Sequence, residues 1–218
     1  MPWELFESEA AGYEGWYAKG RGARVEEAER ALLGWMVSAL PATRSVLEVG
    51  CGTGHFARWL ASRVPRVVGM DRSPAMLAEM GRQRPSLTAV LGDAYQLPFR
   101  NQSLDLVVFV TALEFLDRPG EALAEAVRVA RQGLLLIVLN RWSIGGGSRR
   151  WGSQARKPIL GQAHDYALPD LRMAVRRAAG PRLERLLWRS AVFPGRLWHL
   201  QVPVPLGDVL GMAVALKA

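Results

Sequence analysis

Val46-Leu-Glu-Val-Gly-Cys-Gly-Thr-Gly-His-Phe56 is the stretch that decides how this chain folds. A short β-rich apolar run carries Glu48, three glycines alternate at Gly50, Gly52 and Gly54, and a helical pattern follows. Glycines at alternate positions let the backbone turn tightly and approach a ligand closely, because no Cβ stands in the way. The helix behind the turn aims its N-terminus at whatever the loop holds. The pattern is that of a cradle for a nucleotide-type cofactor. A dinucleotide loop, G-x-G-x-x-G, would need Gly or Ala at position 55, where His55 stands. A phosphate loop would need a Lys-Ser/Thr pair after the glycines, and none follows. Glu48 would repel a pyrophosphate but suits an ammonium group. A ligand with an adenosine end and a cationic amino-acid end fits best.

The chain has 218 residues, 50% hydrophobic and 22% charged, enough for one α/β domain with small additions. One domain over 1–218 is expected: an N-terminal helical lid at 1–40, a cofactor-binding core at 41–140, and a substrate-side insertion with the last strands at 141–218. Cys51 is the only cysteine, so there is neither a disulfide nor a thiolate metal cluster, and no metal is expected. In the glycine loop it reads as a small residue filling a crowded turn. The acidic start, MPWELFESEA, lacks the basic and apolar regions of a signal peptide. Apolar runs such as Leu134–Leu139 fall far short of the about 20 residues that span a bilayer. A cytoplasmic protein with no membrane partner is expected.

Charge is unevenly placed. Residues 1–140 hold 15 Lys/Arg against 16 Asp/Glu, a net of −1, and residues 141–218 hold 13 against 4, a net of +9. A basic last third suits an anionic substrate, RNA or a membrane surface, and equally a solvated arginine-rich face. Arginine outnumbers lysine 25 to 3, which also fits a GC-rich genome or a heat-adapted source.

Outward from the glycine loop the chain alternates strand and helix. The periodicity predicts strands at Ser45–Val49, Arg66–Met70, Leu87–Leu91, Leu104–Val110 and Gly133–Leu139, with helices at Phe56–Ser62, Pro74–Arg84 and Pro119–Arg131 between them. Continuous Val/Leu/Ile runs bounded by helices imply a parallel sheet covered on both faces. Residues 3–40 read as helices broken at Gly20-Arg-Gly22, with Pro41 closing the second. Arg141–Pro169, with Gly145-Gly-Gly147, reads as a loop or insertion. Leu168–Ala179 reads as a helix stopped by Gly180-Pro181, and Leu183–Phe193 and Val209–Leu216 as the last strands. Pro194–Asp208 between them has no helical period, so the final strand should run antiparallel.

Ligands of open α/β sheets sit at the carboxyl ends of the strands. Asp71 ends the second strand, where a carboxylate can accept both ribose hydroxyls. It or Ser73 can also cap the helix opening at Pro74. Gly92-Asp-Ala-Tyr-Gln-Leu-Pro-Phe99 follows the third strand, where an acid and a backbone N–H can read an adenine edge.

VLEVGCGTGHFARWL, VVGMDRSPAML, GDAYQLPF, LDLVVFVTALEFLDRP and GLLLIVLNRWS occur in the order found in small bacterial class I S-adenosylmethionine (SAM)-dependent methyltransferases. The resemblance covers residues 44–142 well and the flanks loosely, and Tyr13-Glu-Gly-Trp-Tyr17 with Gly20-Arg-Gly22 is similar to that group's lid. It implies a Rossmann-like, doubly wound α/β fold of seven strands ordered 3-2-1-4-5-7-6, strand seven antiparallel. It also implies SAM as cofactor and S-adenosylhomocysteine as product. By the same resemblance, Glu48 and Gly50 lie near the methionine portion, Cys51 and Gly52 also bind the cofactor, and Asp71 holds the ribose. Arg72 and Met76 flank the adenine, Gly92, Asp93 and Ala94 read its edge, and Thr111 and Ala112 line the methyl-donor face. Tyr13 and Tyr17 would contact the ligand from the lid, while Trp16 packs in the core.

The chain departs from two better-defined groups. It lacks the Asn/Asp-Pro-Pro-Tyr/Phe motif of enzymes that methylate exocyclic base amines, and the Pro-Cys nucleophile of pyrimidine-C5 enzymes. Many relatives carry His where this chain has Glu114 or Phe115, so no family base carries over. A base is needed only if the acceptor arrives protonated, and the candidates are Glu114, His164 and Tyr17, with His199 behind them. The expected reaction is methyl transfer to oxygen, nitrogen or carbon of a small molecule, with an anionic one suited to the basic last third. Rivals are an RNA methyltransferase and a SAM-binding protein without catalysis.

Overall fold

A computed structural model describes residues 2–18, 20–144 and 160–217. Seven strands form one sheet: β1 (Ser45–Val49), β2 (Arg66–Asp71), β3 (Thr88–Leu91), β4 (Leu104–Val110), β5 (Ala130–Leu139), β6 (Leu183–Ala191) and β7 (Val209–Leu216). Their order is β3-β2-β1-β4-β5-β7-β6, as the resemblance implies. All pairs from β3 to β5 are parallel, whereas β7 runs antiparallel to both β5 and β6. No α-helix links β6 to β7, only a 3₁₀ turn at Gly195–Leu197, so the chain reverses there.

Alternating side chains of each strand feed two cores. Leu47, Val107, Phe109, Leu134 and Leu136 point to one face, where α5 (Pro119–Val129) and α6 (Leu168–Ala179) cover them with Leu123, Ala126, Leu171 and Val175. Val46, Leu106, Val108, Leu135 and Ile137 point to the other, against Leu32, Leu33 and Met36 of α2 (Gly20–Ser38) and Phe56 and Leu60 of α3 (His55–Ala61). This double cover explains the unbroken apolar run of β4, buried along its whole length. The remaining helix of the core, α4 (Pro74–Gln83), starts at an N-cap formed by Ser73, whose Oγ accepts from the Met76 N–H at 3.1 Å. No helix among the described residues is long and apolar enough to cross a membrane.

The N-terminal segment differs from the expected two helices. α1 (Pro2–Glu9) passes into a 3₁₀ stretch, Ala10–Trp16, and α2 begins at Gly20 itself. Gly20-Arg-Gly22 is therefore the first turn of a helix and not a break. Its glycine serves close packing: a Cβ on Gly22 would lie 1.8 Å from the Trp16 carbonyl oxygen. Gly22→Ala is expected to force the 3₁₀ stretch off α2 and to lower stability by about 1–3 kcal/mol. Denaturant unfolding would check the loss, and unchanged stability would contradict the contact.

Other boundaries shift by a few residues. β5 starts at Ala130 directly from α5, with a register irregularity opposite Leu104/Leu106. β6 ends at Ala191, before Phe193. The triplet Gly145-Gly-Gly147 lies outside the described residues. Near them, Asn140 bridges Tyr166 and a 3₁₀ turn spans Leu160–Gln162.

Candidate active site

The glycine loop is fixed to the end of β2. The Gly50 and Cys51 N–H groups both donate to the Met70 carbonyl, at 2.8 and 3.0 Å. Gly50, Gly52 and Gly54 have φ of 73°, 53° and 77°, a region that disfavours a Cβ. The three do different work. A Cβ on Gly50 would meet Ala112 Cβ at 2.6 Å and one on Gly54 would meet Met80 Cγ at 2.6 Å, so both are packing positions. At Gly52 a Cβ would make only ordinary contacts, with Met76 Sδ at 3.8 Å and Tyr13 Cε1 at 4.0 Å, and the residue lines the cleft. Cys51 is buried with its sulfur 3.7 Å from Met80 Sδ, and burial pushes its thiol well up, so it fills the turn and is no nucleophile.

Three carboxylates stand at successive strand ends. Glu48, on β1, is 2% exposed, and its Oε2 has no hydrogen-bond partner. Burial, with the nearby charge of Asp71, pushes its carboxyl up to about 8. Asp71 joins two loops: its Oδ2 accepts from the Gly52 N–H at 2.7 Å and its Oδ1 from the Ser73 N–H at 2.9 Å. Burial raises its pKa against these bonds and a further one from the Arg72 N–H. Asp93 Oδ1 accepts from the Tyr95 N–H at 3.0 Å, while Oδ2 lies 3.6 Å from Arg72 Nη1.

The N-terminal segment covers this edge. Tyr13 and Tyr17 lie edge to face, and Tyr17 stacks on His55 with ring centroids 4.2 Å apart and planes 9° from parallel. Phe6 meets Phe115 edge-on at 5.0 Å, closing the other end. Ionic contacts hold the cover down. Glu14 accepts from Thr53 Oγ1 at 2.7 Å and pairs with Arg58, and Glu26 Oε1 lies 2.8 Å from His55 Nε2. Glu7 accepts from Ser73 Oγ and from the Ala75 N–H at the start of α4.

These elements line a cleft whose empty space, with the open solvent at its mouth included, is about 1090 Å³. Glu48, Gly50, Cys51 and Gly52 line it, with Asp71, Arg72 and Met76 from the β2 end and Gly92, Asp93 and Ala94 from the β3 end. Thr111 and Ala112 close the β4 side, and Tyr13 and Tyr17 of the N-terminal segment line the side opposite. Trp16 does not line the cleft and packs against the core.

The proposed bases fare differently. Glu114 is 1% exposed, lies outside the cleft lining, and its Oε1 accepts from the Leu139 N–H at 2.6 Å. It supports the backbone at the end of β5 and does not face a ligand. His164 is exposed and also outside the lining, its Nε2 3.4 Å from Arg141, and His199 is exposed in the β6–β7 connection. Tyr17 does line the cleft, but burial and the neighbouring Tyr13, Glu29 and Glu48 raise its pKa well above the ordinary value. Tyr13 is pushed up to about 12, first by burial. Both remain phenols near neutral pH and act as donors, not bases.

Several lining residues had no signal in the sequence. Phe6, Tyr95, Phe115, Leu116 and Asp117 reach the cleft through tertiary packing alone. His55 was informative only for the loop type it excluded, yet it lines the cleft too. The charge of the lining also differs from the expectation drawn from the basic last third. Glu48, Asp71, Asp93 and Asp117 are acidic, Arg72 is the one arginine, and no described residue beyond 140 takes part.

A seven-stranded sheet of this order is the fold of Rossmann-like methyltransferases of known structure. The family described as methyltransferase domain matches residues 47–138, so the core of this chain is a class I SAM-dependent methyltransferase domain, whose cofactor is SAM. The chain is 39% identical over 102 residues to a demethylmenaquinone methyltransferase of Renibacterium salmoninarum, a match covering 47% of this chain and 43% of that protein. It is 32% identical over 119 residues to a malonyl-[acyl-carrier protein] O-methyltransferase of Yersinia pestis, covering 55% and 43%. The chain thus spans less than half the length of these curated relatives. Among solved structures it resembles a SAM-dependent methyltransferase of Thermotoga maritima, called a possible histamine N-methyltransferase. There the TM-score is 0.79 at 25% identity, with 100% of both chains covered.

The residues present fit the cofactor. Glu48 Oε2 is a buried acceptor without a partner, which an ammonium group would satisfy. Gly52 lines the cleft without a Cβ, and the Asp71 carboxylate beside it is an acceptor that a ribose hydroxyl could meet.

Proposed function

We propose that the chain transfers a methyl group from SAM to a small acceptor that is uncharged or cationic and has an apolar body. The observation that carries this reading is the buried, unpartnered Glu48 oxygen beside an open glycine cradle and Asp71. Glu48 would hold the ammonium and Asp71 the ribose hydroxyls. Arg72 and Met76 would flank the adenine, with Gly92, Asp93 and Ala94 at its edge. Thr111 and Ala112, at the end of β4, would border the reacting face, with Cys51 and Gly50 behind them.

The cofactor supplies an activated methyl on a sulfonium. What remains for the protein is to orient the acceptor in line with it and to exclude water. Tyr13, Tyr17, Phe6 and Phe115 form an apolar cover suited to that task. An acidic lining with one paired arginine argues against an anionic acceptor. Cationic ligands gain from both the carboxylates and the aromatic faces. The Thermotoga maritima structure called a possible histamine N-methyltransferase fits an amine, and the demethylmenaquinone enzyme fits an apolar aromatic body.

In this reading 1–218 is one methyltransferase domain, with 1–40 as lid, 41–140 as core and 141–218 on the substrate side. The single buried cysteine suits a reducing cytoplasm. Incubation with methyl-labelled SAM and panels of amines, phenols, quinols and carboxylic acids tests the acceptor class. Label is expected in amines or apolar aromatic acceptors, and transfer confined to carboxylic acids would overturn the reading. The +9 last third favours RNA as a second reading. RNA methylation with affinity falling steeply with salt would establish it instead.

A further inference from the structure

We propose that His55 binds the carboxylate of the cofactor's amino-acid end and ties it to the closed lid. The inference rests on the cofactor reading above and goes beyond it, because Glu48 accounts for only half of a zwitterion. A free amino acid group brings a carboxylate into the same region, and that anion needs a donor when water is excluded. Only Arg72 and His55 among the lining side chains can carry positive charge. Arg72 follows β2 and already faces the Asp93 carboxylate, 3.6 Å away. His55 begins α3 directly after the glycine loop and lines the same cleft as Glu48.

The ring is held in place from three directions. Tyr17 stacks on its face, Glu26 Oε1 lies 2.8 Å from Nε2, and Phe56 packs edge-on at 5.3 Å. The imidazole is 12% exposed, and its Nδ1 is buried with no hydrogen-bond partner. Glu14 Oε2 stands 3.8 Å from Nδ1, too far for a hydrogen bond, and its charge is already met by Arg58 and Thr53. Arg30 pairs with Glu26 at 2.6 Å behind the ring. In the bridging form, with a proton on each nitrogen, the ring donates to Glu26 on one side and to the ligand carboxylate on the other. Since Glu26 belongs to α2 and Tyr17 to the lid, the same ring links ligand recognition to closure.

Calorimetry with three probes separates this role from a plain clamp. The probes are S-adenosylhomocysteine, its decarboxylated analogue, and 5′-methylthioadenosine, which lacks the whole amino-acid end. The wild-type protein is expected to prefer S-adenosylhomocysteine over the decarboxylated analogue by about tenfold or more. His55→Ala should erase that preference and leave 5′-methylthioadenosine binding within about twofold. His55→Phe keeps the stack on Tyr17 without a donor and should behave alike, which covers a failure of the alanine variant to fold. Glu26→Gln, a change at a positioning residue, should reduce the preference partly. A preference intact in both His55 variants, or equal weakening of all three probes, would overturn the proposal. If the wild-type protein bound none of the probes, the cofactor reading itself would fall, and this inference with it. Wild-type binding with an unchanged preference in the variants would sink the inference alone.

Discussion

Asp71→Ala is expected to weaken S-adenosylhomocysteine binding by about a hundredfold or more, because Asp71 does two jobs that no neighbour can take over. One is direct: its carboxylate lines the cleft, where in the proposed reading it accepts from the ribose hydroxyls. The other is internal, since its two oxygens tie the Gly52 N–H to the Ser73 N–H across the mouth of the cleft, at 2.7 and 2.9 Å. Alanine would leave the Gly52 N–H without its acceptor and let the cradle relax just where a ligand must approach most closely. Asp71→Asn keeps one acceptor oxygen and should lose less. Calorimetric titration of both variants checks the order, and affinity within about threefold of wild type in Asp71→Ala would contradict it.

Glu48 gives the second large effect, and it is a pH dependence with a definite sign. A carboxyl pushed up to about 8 is mostly protonated at pH 7, while an ammonium ligand binds its ionised form. Binding near neutral pH should therefore release a proton, and affinity should rise as pH climbs towards 8 and then level off. The rise is at most about tenfold per pH unit. Glu48→Gln should bind more weakly and lose both the proton release and the slope. Titrations in buffers of different ionisation enthalpy would show this, and an unchanged slope in the variant would contradict it.

The same burial acts on the free protein. Glu48 and Glu29 both sit near 8 instead of the ordinary 4.5, with burial the main cause in each and Glu114 adding to Glu29. Between these values the folded chain holds protons that the unfolded chain has released, so stability falls as pH rises from about 4.5 to about 8. Glu29→Gln should flatten part of that decline in thermal unfolding measured across the window. Glu14 works in the opposite direction. Burial opposes its ionisation, but the His55 ring nearby and the hydrogen bonds from Arg58 and Thr53 hold it down to about 2. Its contribution is present above the ordinary 4.5 and is lost as pH falls through about 2.

Much of the fold was legible because each strand is a short continuous apolar run bounded by turn residues and helices. Leu104–Val110 is readable for that reason, being buried on both faces. The antiparallel Val209–Leu216 followed from a connection with no crossover helix. The glycine loop, Asp71 and Asp93 were legible because strand ends in such sheets are where ligands sit, and the structure gathers them into one cleft. The N-terminal segment was less so. A 3₁₀ stretch at Ala10–Trp16 has no distinctive period, and the close pass of Gly22 under the Trp16 carbonyl is a tertiary fact. The pairing of Phe6 with Phe115 and the seating of His55 between Glu26 and Glu14 join residues far apart in the chain. Glu114 looked like a base from its place after β4, but its side chain turns to the Leu139 N–H instead. The basic last third misled for a related reason: net charge along a sequence does not say which face it occupies, and none of it reaches the cleft among the described residues.

The central claim is that this cleft holds the cofactor of the methyltransferase class, with Glu48 on the ammonium and Asp71 on the ribose. Isothermal titration of the wild-type protein with S-adenosylhomocysteine at pH 7 tests it most directly. The account predicts saturable binding at a single site with a proton released on each event. No binding up to millimolar ligand, or binding that Asp71→Ala leaves untouched, would contradict it.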